Sequence, residues 1–133
     1  MTPITTTTDA GMAETEAAVR DALAQQGFGV LTEIDIAATL KEKLGVDGPP
    51  LKILGACNPH LAHQALTADP DAALVLPCNV VLDATATGTR VRAADPHDII
   101  TSPELSDLAD EAAEKLRRAL DSITAAASIG DRA

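Results

Sequence analysis

The chain has 133 residues, 46% of them hydrophobic and 23% charged, and carries a formal net charge of -10; one hydrophobic core suffices at this size. The charge has the wrong sign for tracking phosphates, and Phe28 is the sole aromatic residue, with no Trp or Tyr to stack on bases, so nucleic acid is not an expected partner. The longest apolar run, 72–82, is too short for a bilayer and contains Pro77, the Thr-rich start lacks the features of a secretory signal, and two cysteines are too few for a disulfide framework. A cytoplasmic protein with no membrane partner is expected.

In chain order, a strand over 4–8 is followed by a helix over 10–26, capped by Asp9, with Met12, Val19, Ala22 and Leu23 on one stripe and Gly27 as its stop. Alternation over 28–36 predicts a strand with Phe28, Val30, Ile34 and Ile36 on one face and Leu31, Glu33 and Asp35 on the other. A short helix over 36–44 ends at Gly45, and Asp35 is placed to cap it. Residues 51–57 form a short apolar strand. Asn58-Pro59 then joins a favoured N-cap to a favoured first helical residue and opens the next helix, which ends near Asp69-Pro70. A buried strand over 73–82, interrupted at Pro77, pairs across a Gly88 loop with 90–94. Ser102-Pro103 launches a long helix to about 123, with Leu105, Leu108, Ala109, Ala112, Leu116, Ala119, Leu120 and Ile123 as its core stripe. The division expected is an N-terminal segment over 1–9, one α+β domain over 10–127 and a frayed tail over 128–133.

Two like segments stand out: Gly55-Ala56-Cys57-Asn58-Pro59 and Leu76-Pro77-Cys78-Asn79-Val80. Each sets a Cys-Asn pair beside a proline where regular structure breaks. Cys57 lies at a helix N-terminus, where the dipole favours a thiolate, so it is expected to be the more reactive. Small buried thiols that merely fill space are the plainer alternative. His60 and His63, spaced i, i+3, would complete a two-thiolate, two-imidazole zinc set, but the spacing is not a standard one, and neither metal nor cofactor is expected. The nucleotide-binding and hydrolase signatures, among them G-x-G-x-x-G, the P-loop and G-x-S-x-G, are missing.

The segments 27–35, 39–45, 53–59 with Leu61-Ala62-His63, and 76–81 follow one another in an order that resembles the family called domain of unknown function 302, over roughly residues 10–125. The resemblance implies an α+β fold like that of the TATA-binding-protein class, an antiparallel sheet covered by helices, and a tendency to dimerise. It carries no catalytic assignment. It places Asp35, Cys57, Asn58, His63, Cys78 and Asn79 inside the shared motifs and His60 outside them.

The expectation is therefore an α+β domain of order β-α-β-α-β-α-β-β-α. Its first reading is a non-enzymatic, homodimeric module that binds a small molecule or a protein, with a candidate ligand site at the two Cys-Asn motifs. A thiol-dependent enzyme or redox protein using Cys57 and Cys78 is the alternative, and a metal carrier comes third. Sulfurs within bonding reach beside a pocket would favour the second reading, and buried sulfurs far apart with apolar neighbours the first.

Overall fold

Alternating burial along the strands divides the fold into two sides. The computed structural model describes residues 2–131, with side chains described through residue 123. Five strands, β1 (Ile4–Thr8), β2 (Gly29–Asp35), β3 (Leu51–Cys57), β4 (Cys78–Ala84) and β5 (Thr89–Ala93), form one antiparallel sheet in the order β1-β5-β4-β3-β2. The helices are α1 (Met12–Gln25), α2 (Ile36–Leu44), α3 (Pro59–Ala68), α4 (Pro96–Ile99) and α5 (Ser106–Asp131), in the expected order with α4 added.

On one face Leu54, Ala56, Val80, Leu82, Val91 and Ala93 meet Val19, Ala22 and Leu23 of α1 and Leu116, Ala119, Leu120 and Ile123 of α5. Nearly aromatic-free, this core is filled by branched aliphatics, and alanines on α1, α5, β3 and β5 let backbones approach closely. The other face carries Ile34, Ile53, Val81, Asp83, Arg90 and Arg92. Among the described residues, α2 and the loop after it reach only one end of that face, through Leu40 and Val46.

Several expected details differ. Strict alternation would keep Ile34 with Phe28 and Val30, but the β2–β3 register shifts between Val30 and Thr32. A bulge there reverses which side each later residue faces. Val30, opposite Ala56, still packs on the core, while Ile34, opposite Ile53, turns to the open face and is 47% exposed. The apolar run 73–77 is not strand. Asp69 accepts the Asp71 N–H at 3.0 Å and starts a 3-10 turn over Pro70–Val75, which leaves Leu74 83% exposed. The Leu76–Pro77 peptide is cis, and pairing begins only at Cys78, because Pro77 has no N–H to give.

Helix α1 is capped by Gly11 without a side-chain bond, not by Asp9, since the Thr8 hydroxyl takes the Ala10 N–H at 3.2 Å. Ser102-Pro103 opens a 3-10 turn (Pro103–Leu105) rather than α5 itself. Helix α5 runs past 127 to Asp131, so 128–131 are helical; the last two residues of the expected tail lie outside the described ones. No helix among the described residues is long and apolar enough to cross a membrane.

Candidate functional site

The junction of β3 and α3 is built by Asn58. Its side-chain oxygen accepts the Leu61 N–H at 3.3 Å, capping α3, and its amide nitrogen donates to the Gln26 carbonyl at 3.3 Å, tying the end of α1 to the same point. Pro59 follows at the first helical position, where no N–H is needed. Gly27 completes the junction: its φ is 85°, and a Cβ would stand 3.1 Å from the Asn58 amide nitrogen. The buried asparagine is thus a fixed corner, with both polar ends satisfied.

That corner brings the cysteines together. Cys57 closes β3 opposite Gly29, and Cys78 opens β4 opposite Ala56. Both are free thiols and both line one cavity of about 30 Å³. The walls are almost wholly apolar: Phe28, Leu61, Ala62 and Ala65 from the α1–β2 and α3 side, Leu76 before β4, and Ile100, Leu108 and Ala112 from the α5 side. Burial pushes the Cys78 thiol above its ordinary pKa, and the negative charge Cys57 can carry pushes it the same way. An apolar, shielded thiol is poorly suited to act as a thiolate.

The other sequence-derived positions are elsewhere. Asn79, opposite Gly55, is exposed and makes no side-chain hydrogen bond among the described residues, so the two like Cys-Asn segments use their asparagines differently. His60 and His63 are exposed on α3 and do not line the cavity. Among the described residues no three His, Cys, Asp or Glu side chains group closely enough to hold a metal ion. Asp35 is at the far end of β2 from Gly29, six strand steps or about 20 Å away, where it accepts the Ala38 N–H at 2.9 Å and caps α2.

Sequence reasoning missed the strap between β5 and α5. Its Ile100 lines the cavity beside Leu108 of α5, and a cluster of charges holds α4 next to it. His97 lies between Asp95 at 2.7 Å and Asp110 of α5 at 2.5 Å, and Arg117 reaches Asp95 at 3.1 Å. The carboxylates of Asp110 and Asp95 raise the His97 pKa, as two anions facing one imidazole must. The adjacent isoleucines at 99 and 100 after Asp95-Pro96 were the available signal.

A search among curated proteins finds no match. Among solved structures, the chain is similar to an uncharacterized conserved protein DUF302 from Bacillus stearothermophilus, at 30% identity and a TM-score of 0.81, over 88% of this chain and 94% of that one. The family profile described as "Domain of unknown function DUF302" matches residues 4–123. The chain belongs to the DUF302 family.

Proposed function

We propose that this chain is a non-enzymatic binding module that takes a compact apolar group into the cavity between Cys57 and Cys78. One observation carries the reading: two cysteines from different strands share a cavity whose walls offer almost nothing polar, with Cys78 held as a neutral thiol by burial. Such a site rewards shape and hydrophobicity rather than charge. It has room for one small group, and Ile100 of the strap, beside Leu108 of α5, is the wall that yields to a longer ligand. Two unpaired thiols suit a reducing, cytoplasmic setting. Xenon is the probe of choice, since it enters dry apolar cavities. The methyl resonances of Leu61, Ala65 and Ala112 should shift with xenon pressure, and Ala62→Leu, which fills the space, should abolish the shift. Unmoved methyls in the wild-type protein would remove the reading.

The module acts as a homodimer. Among the described residues a full helical layer covers one face of the sheet, while the other has α2 at one end and leaves Ile34, Leu40 and Val46 exposed on or beside it. A second copy docked there supplies the missing cover symmetrically. Sedimentation at micromolar concentration should give a dimer that Ile34→Glu dissociates. A monomer throughout would refute the dimer and leave the cavity reading intact.

A further inference from the structure

Away from the cysteines, on the sheet's open face, Asp83 of β4 faces two guanidinium groups of β5. Arg90 takes both of its oxygens, with Nε at 3.2 Å and Nη2 at 2.7 Å. Arg92 is left with one long contact, Nη2 to Asp83 at 3.4 Å. Its Nε is shielded from water and has no acceptor among the described residues. Two cations thus share one anion, and the underused cation lines a second cavity, of about 240 Å³. The rest of that cavity is apolar apart from Asp83 itself, walled by Leu40, Val46, Pro49 and Leu51. The neighbouring anion on the α2 loop, Asp47, is occupied by Lys41 at 3.1 Å.

We propose that this cavity binds a small carboxylate with an aliphatic tail, the carboxylate on the Arg92 guanidinium and the tail against Leu40, Val46 and Leu51. A guanidinium favours a carboxylate because its donors match two oxygens at once. The apolar walls select against bare inorganic anions, which would gain nothing from them. The site is independent of the cysteine cavity, since Arg92 points to the opposite face of the sheet from Ala56 and Val80.

The test is calorimetric titration of the full chain with hexanoate, hexanol and acetate. Hexanoate should bind, hexanol should bind at least about tenfold more weakly, the size of one charge-assisted contact, and acetate should bind more weakly still. Arg92→Gln should weaken hexanoate by about tenfold or more and leave hexanol unchanged. Val46→Asp, on the exposed loop, should weaken hexanoate, and sedimentation of the same variant separates that loss from loss of the dimer. Equal binding of hexanoate and hexanol, or full hexanoate affinity in Arg92→Gln, overturns the proposal. So does a chain that ignores hexanoate while Arg92→Gln dissociates the dimer, because a partner's carboxylate would then be the missing acceptor.

Discussion

Replacing Leu116 by Ala tests whether α5 is the element that closes the core. Leu116 is 0% exposed, in the cluster that joins α1, α5 and four of the strands. Removing its branched end deletes buried apolar contacts and leaves a cavity that tightly packed neighbours can only partly fill, so the cost should be about 2–5 kcal/mol. Against a total stability of roughly 5–15 kcal/mol, that is a large fraction. It corresponds to a fall in Tm of roughly 7–18 °C for a domain of this size. Urea unfolding followed by circular dichroism should show the midpoint falling with the slope unchanged. Leu74→Ala, at a site 83% exposed, should stay within about 0.5 kcal/mol. A loss below about 1 kcal/mol for Leu116→Ala would refute the claim that this stripe holds the helix to the sheet.

Gly55→Ala should destabilise by about 1–3 kcal/mol, because a Cβ there would run into Thr32 Oγ1 and stand 2.8 Å from Pro77 Cγ; an unchanged urea midpoint would contradict that packing. The His97 clasp makes a pH-dependent contribution. Its pKa is raised in the folded chain above the ordinary 6.5, so the stability it adds is complete below about 6.5 and is lost as pH rises through the folded value. His97→Gln should therefore lower the unfolding midpoint at about pH 5.5 and match the wild type at about pH 9; an equal loss at both would show that the imidazole's charge is irrelevant.

Local chemistry was legible where it acts on adjacent residues. Asn58-Pro59 announced its helix because a cap and an N–H-free first residue are decisions of one turn, and the α5 stripe followed from spacing alone. What failed depended on partners distant in sequence. The bulge in β2 exists only in register with β3, so the outward turn of Ile34 has no local signature. The Asp69–Pro70 cap starts a 3-10 turn that takes residues 73–75 from a strand their apolar character favoured. At the site, the convergence of Cys57 and Cys78 was foreseeable from two matching strand ends. The part of the wall formed by Ile100 was not, because a charge clasp between α4 and α5 brings it there.

The central claim is an apolar ligand cavity rather than a thiol active site, and the most direct measurement is the rate of thiol alkylation against pH in the Cys57→Ser and Cys78→Ser variants. With Cys57 replaced, Cys78 should react slowly and titrate above the ordinary thiol value of about 8.5, as its burial dictates. A Cys78 that reacts rapidly at neutral pH, with its thiolate already formed, would contradict the account and restore thiol chemistry at this site.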